Sequence, residues 1–135
     1  MIERTFAMIK PDAVKAAAED KIVDIIEKNG FTIVEMRKEH LTRDKAAQFY
    51  AVHSSRSFFN ELIDFMTSGP VVLMVLQKKN AVQAWRDLMG ATDPKKAEPK
   101  TIRALFGSNI GENATHGSDS QETAKQEIAL MFPGL

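Results

Sequence analysis

The sequence has 135 residues, 44% hydrophobic and 27% charged, which suits a single domain over residues 1–135 that builds its own core. Its 18 basic and 18 acidic side chains cancel and no cysteine is present, which argues against nucleic-acid or anionic-membrane partners and excludes disulfides, thiolate catalysis and cysteine-ligated metal centres. The N-terminus lacks a signal-peptide pattern and the longest apolar run, Val71–Leu76, is too short to span a bilayer, so a cytoplasmic location is expected.

Thr5–Lys10 is a short apolar run halted by Pro11 and predicts a buried strand. Pro11 and Asp12 open a helix with Val14, Ala18, Ile22, Ile25 and Ile26 on one face, ended at Gly30. Residues 31–38 alternate through Ile33 as a second strand. Thr42 is placed to cap a helix with Ala46, Phe49, Tyr50 and His53 inward, and Ser57 to cap another carrying Phe58, Phe59, Leu62, Ile63 and Met66. After the break at Ser68-Gly69-Pro70, Val71–Leu76 is apolar on both faces and predicts a central strand. Asn80 caps a helix presenting Val82, Trp85, Leu88 and Met89, closed by Gly90.

From Ala91 to Gly111 the periodicity fails, and a loop this long inside a compact domain is usually functional. A fourth strand is expected near Asn113–His116. A last helix begins near Ser118–Ser120, where Ser118 and Gln121 have capping-box spacing, with Ala124, Ile128 and Met131 as its apolar stripe. The order is βαββαβ with added helices. It predicts an α+β, ferredoxin-like sandwich: a four-stranded antiparallel sheet, helices on one face, and a long loop before the last strand.

The segment Asn113-Ala-Thr-His116-Gly117-Ser118-Asp119-Ser120 carries the most pointed chemistry. A neutral imidazole that is held still and reachable offers a nucleophilic lone pair, and Gly117 leaves room beside it for a bulky substrate. A phosphoryl transfer would add cations for the phosphate oxygens and a flat surface for a base. Lys10, Arg86 and Arg103 all flank irregular segments, and Thr92 starts the long loop. Tyr50 and His53, three apart, can act on one ligand, and Phe58 follows a loop where it can stack. Taken singly, each of these is more simply a solvated charge or a packing residue. There is no P-loop, no G-x-G-x-x-G and no protein-kinase signature set. No two histidines and a carboxylate sit at metal-ligand spacing, so any magnesium would arrive on the substrate's phosphates.

Several blocks in one order resemble the nucleoside diphosphate kinase family. They are Lys10-Pro-Asp-Ala-Val14, Phe49-Tyr50, His53 with Arg56 and Phe58-Phe59, and Ser68-Gly-Pro-Val-Val72, then Arg86 with Gly90-Ala-Thr92-Asp-Pro94, Thr101-Ile-Arg103 and Asn113–Ser120. The resemblance implies a ping-pong transfer of the γ-phosphoryl group from a nucleoside triphosphate, mainly ATP, to a nucleoside diphosphate through a phosphohistidine on His116. It assigns Lys10, Tyr50, His53, Arg86, Thr92, Arg103 and Asn113 to phosphates and ribose, and Phe58 and Ile110 to the two faces of the base. Lys10, Tyr50 and Arg103 also join His116 in the catalytic set, with Glu127 orienting the histidine and Ser118 supporting both. Magnesium would come with the nucleotide, and the family assembles as tetramers or hexamers built from dimers.

Some positions depart from the family pattern. Ser57 replaces a proline, Lys100 a glycine and Leu105 an acid, and Ala16–Lys21 lacks a glycine usual there. Two other readings stand beside this one. A non-catalytic nucleotide-binding module of the same fold is disfavoured because His116, Lys10 and Arg103 are intact. An RNA-binding sheet is disfavoured because the strands offer only Phe6 and Phe31 and the net charge is zero.

Overall fold

The computed structural model describes residues 2–135. Four strands, β1 (Ile2–Ile9), β2 (Thr32–Glu39), β3 (Val71–Lys79) and β4 (Thr115–Gly117), form one antiparallel sheet in the order β2-β3-β1-β4. This is the expected α+β arrangement. Residues 71–76 are all buried, and β3 pairs with β2 on one side and β1 on the other, as its uniformly apolar sequence requires.

The helices are α1 (Pro11–Lys15), α2 (Glu19–Lys28), α3 (Arg43–Phe49), α4 (Phe59–Met66), α5 (Ala81–Met89), α6 (Ile102–Phe106) and α7 (Gln121–Met131). They cover both faces of the sheet, not one as the sequence suggested. Ala7, Ile9, Met74 and Leu76 pack with Ile22 and Ile26 of α2 and Trp85 of α5. Phe6, Met8, Leu73 and Val75 pack with Ala46 of α3, Ile63 of α4 and Met131 of α7. Successive residues of β1 and β3 point to opposite faces, and both sets are apolar, so one layer of helices would leave half of them in water.

The helix expected from Pro11 to Gly30 is two helices. Ala17, between α1 and α2, lies in the left-handed region at φ 59, where the chain turns. Lys100 is similar at φ 76. Lys100 stands where the resemblance leads us to expect glycine and Ala17 lies within the 16–21 stretch that lacks one, and a Cβ at such φ values is strained. Ala17 is exposed, so Ala17→Gly removes strain without opening a cavity. It is expected to stabilise the chain by about 1 kcal/mol, read as a higher midpoint in thermal unfolding.

Several caps differ from expectation. Ser57 does not cap α4; Phe58 occupies that position without a side-chain bond, because consecutive tight turns from Tyr50 to Phe59 delay the helix by one residue. Asn80 sits at the start of α5 but left-handed and without a side-chain bond, and Glu3 Oε1 accepts from Val82 N instead. The segment 91–111 holds a 3-10 turn (Pro94–Lys96) and α6, capped by Thr101, within the expected irregular stretch. α7 is capped by Ser120 and Thr123 in a reciprocal box, not by Ser118 and Gln121. That frees the Ser118 hydroxyl for other work.

Candidate active site

His116 is the middle residue of β4 and pairs with Met8 of β1. Strand alternation turns its ring to the side of α3 and α7, where it meets the rings of Phe49, Phe6 and Tyr50 at 5.0, 6.1 and 6.4 Å between centroids. Phe49 meets it edge-on, at 74°. His116 Nε2 lies 3.2 Å from Glu127 Oε1, and the Ser118 hydroxyl donates to the same oxygen at 2.7 Å. The His116 and Glu127 side chains keep 22% and 20% of their surface, so the ring is gripped yet reachable. A carboxylate only accepts, so a neutral ring carries its proton on Nε2. The lone pair is then on Nδ1, which has no hydrogen-bond partner among the described residues.

In front of His116 lies a cleft of about 570 Å³, whose walls include Tyr50, His53, Arg86, Thr92, Arg103 and Glu127. Seven of the twelve predicted site residues therefore share one cavity, counting His116 itself. Lys10, Asn113 and Ser118 lie buried around it. Lys10 Nζ donates to Asn113 Oδ1 at 2.8 Å, and Asn113 Nδ2 donates to the Thr92 carbonyl at 3.0 Å, so one amide links the end of β1 to the long loop. Phe58 and Ile110 are not cleft walls. Both are exposed, and Phe58 stands 5.7 Å from the His53 ring.

Burial, together with the charge of Arg103, lowers the Lys10 pKa to about 8, partly offset by Asp12. Burial and then Arg86 lower Arg103 to about 10. The cations thus repel one another in the absence of an anion, and a phosphate chain would relieve that repulsion. Arg103 is fixed by Nη1 to the Gly90 carbonyl and Nη2 to the Thr115 carbonyl, each 3.0 Å. Its Nε is buried and unpartnered among the described residues, as is the Tyr50 hydroxyl. Burial, and secondarily Glu127, pushes the Tyr50 phenol up, so it stays protonated and can donate.

Sequence reasoning missed two supports. Asp12 Oδ2 accepts from Ala114 N at 3.1 Å while Lys10 N donates to the Ala114 carbonyl at 2.8 Å. Together they hold Ala114 at φ 75, two residues before the histidine. Burial pushes the Asp12 carboxyl up, against backbone N–H groups and Lys10 that hold it down. The second support is Trp85, whose indole Nε1 donates to the His116 carbonyl at 3.2 Å. Lys10-Pro11-Asp12 was visible as a motif, but nothing in its spacing pointed to residue 114.

The role expected of Gly117 needs correction. A Cβ there would stand 2.5 Å from Trp85 Cδ1 and 2.6 Å from Met89 Cε, so the missing side chain makes room for α5, not for substrate. Gly117→Ala is expected to destabilise the chain by about 1–3 kcal/mol through overpacking, seen in denaturant unfolding.

Among the described residues no group of three His, Cys, Asp or Glu could hold a metal ion, and no helix is long and apolar enough to cross a membrane. A family model described as nucleoside diphosphate kinase matches residues 3–135. The chain belongs to the nucleoside diphosphate kinase family. It is 56% identical to the nucleoside diphosphate kinase of Campylobacter hominis over 133 residues, 98% of this chain and 97% of that one. The kinase of Persephonella marina is 49% identical, covering 99% and 96%. The crystal structure of the Aquifex aeolicus nucleoside diphosphate kinase superposes with a TM-score of 0.96 at 44% identity, over 99% of this chain and 97% of that one. A halophilic nucleoside diphosphate kinase from Halobacterium salinarum, solved in complex with CDP, gives 0.94 at 40% identity, over 98% and 89%. The chain is accordingly an enzyme, a phosphotransferase with nucleoside diphosphate kinase activity.

Proposed function

We propose that the chain moves the γ-phosphoryl group of a nucleoside triphosphate, mainly ATP, to a nucleoside diphosphate by way of a phosphohistidine on His116 Nδ1. One observation carries this reading: Glu127 takes Nε2 and leaves the other nitrogen of a half-buried ring free beside a cleft walled by Arg86 and Arg103. The solved relative in complex with CDP supports a nucleotide as the ligand.

In the first half-reaction the Nδ1 lone pair forms a bond to the γ-phosphorus. The bond from phosphorus to the β–γ bridging oxygen breaks, and its electron pair leaves with the diphosphate. The Nε2 proton stays on the ring, where the Glu127 carboxylate stabilises the positive character that develops, and Ser118 keeps that carboxylate aimed. The second half-reaction reverses these steps with the terminal oxygen of another diphosphate. Little other covalent chemistry is needed, so the rate comes from alignment and from charge on the transferred group.

Lys10, Arg86 and Arg103 supply that charge; Tyr50, His53, Thr92 and Asn113 bind phosphates and ribose. Phe58 and Ile110, both exposed and apolar, are the surfaces for the base. The carboxylates on the cleft wall are Asp119 and Glu127, and Glu127 is already engaged, which fits magnesium carried by the nucleotide's own phosphates. Bound there, the ion would neutralise charge on the phosphoryl oxygens. The working form is proposed to be a homo-oligomer, a tetramer or hexamer built from dimers.

The wild-type chain, mixed with magnesium and γ-labelled ATP, should take up label that is lost in acid and kept in base. Adding GDP should move that label onto GTP. A chain that makes labelled GTP without ever carrying label itself would replace ping-pong by direct transfer.

A further inference from the structure

We propose that Trp85 is a positioning residue for the nucleophile: its indole N–H holds the His116 carbonyl, and its five-membered ring fixes α5 against β4. The inference rests on the phosphohistidine reading above. Trp85 is fully buried on the face of the sheet opposite the His116 ring, so it acts on the backbone of the nucleophile and never on the substrate. β4 has three residues and pairs with β1 alone. The ladder bonds at Lys10–Ala114 and Phe6–Ser118 place Met8 and His116 as a hydrogen-bonded pair, so the His116 carbonyl faces Met8 N–H and the indole adds a second donor from the side of α5, bracing the strand where no further strand does.

The ring also fits against Gly117, whose Cβ, if present, would lie 2.5 Å from Cδ1 and 2.6 Å from Nε1. Neither partner of that contact can grow without moving the other. From Trp85 the helix runs straight into Arg86 on the cleft wall and on to Gly90, whose carbonyl takes Arg103 Nη1. The five-membered ring of the indole, which carries both the N–H and the contact with Gly117, therefore registers two things at once. It seats the strand that carries His116, and it sets the distance from that strand to the helix that carries one cation and anchors another. In-line transfer is sensitive to such distances, an error of about 1 Å being worth on the order of a hundredfold.

Two substitutions separate the hydrogen bond from the packing. Trp85→Phe keeps an aromatic filler and loses the donor. Trp85→His loses the benzo ring, but its imidazole overlays the five-membered ring of indole, with Nε2 where Nε1 stood. Quenched-flow measurement of label uptake from γ-labelled ATP should find Trp85→Phe about tenfold slower and Trp85→His within about threefold of wild type, at little-changed nucleotide affinity. Thermal unfolding should rank them the other way, with Trp85→His the less stable. A mere core filler would let rate follow stability, with the phenylalanine chain the faster of the two.

Equal rates in Trp85→Phe and wild type, or a Trp85→His chain as slow as Trp85→Phe, overturn the inference. Should Trp85→Phe not fold, the histidine variant alone decides: a wild-type rate at reduced stability upholds it, and a tenfold loss overturns it. A wild type that never labels would instead remove the phosphohistidine reading on which all of this stands.

Discussion

His116→Ala is expected to carry no label from γ-labelled ATP and to lose activity by about four orders of magnitude or more, the usual scale when a covalent nucleophile is removed. The ring is fixed by Glu127 at 3.2 Å and bounded by Phe49 and Phe6, which leaves Nδ1 a narrow range of positions. His53, the other imidazole on the cleft wall, has no carboxylate partner among the described residues and sits in the 3-10 turn after α3. It lacks the fixed tautomer that makes His116 useful. Circular dichroism and thermal unfolding of the variant distinguish lost chemistry from lost fold, because truncating a half-buried ring leaves the two hydrophobic layers intact. Acid-labile label remaining on the alanine chain would mean that another side chain is the nucleophile.

How much of this was legible beforehand depended on how local each signal is. β3 announced itself, since residues 71–76 are apolar without interruption and are all buried. Arg86, Arg103 and His116 were legible because each belongs to a short block of the family pattern, and the fold brings these three to one cleft. What failed was information stored in tertiary partners. Glu3, nearly eighty positions away, caps α5 in place of Asn80, and no local spacing reveals a cap from another strand. Gly117 was read as space for substrate because the sequence does not say that Trp85 fills it. Ser118 has capping chemistry, and Glu127, nine residues on, claimed it. Lys100 was visible only as a missing glycine and Ala17 only as part of a stretch lacking one, and their φ values of 76 and 59 give that absence its physical content.

Arg103→Ala should lower kcat by about a hundredfold or more, the scale for losing one donor to developing charge, with kcat and kcat/KM falling together. Arg103 is tied to Gly90 at the end of α5 and to Thr115 beside the nucleophile, so its position is set by the elements that set His116. Its charge is partly desolvated, which strengthens its hold on an arriving phosphoryl group. Arg103→Lys should recover little, because one ammonium cannot span two carbonyls and still present a fork to phosphate. A loss confined to KM would mean that the guanidinium holds ground and transition states alike.

The substitution also has a pH signature of known sign. Burial is the larger cause of the low Lys10 pKa of about 8, and the charge of Arg103 is the second. Removing that charge lets Lys10 keep its proton to higher pH. The alkaline limb of the residual activity should therefore move up in Arg103→Ala, although the rate itself has dropped. A limb that stays in place would show that Lys10 does not control it, and that the two cations act on the phosphates independently.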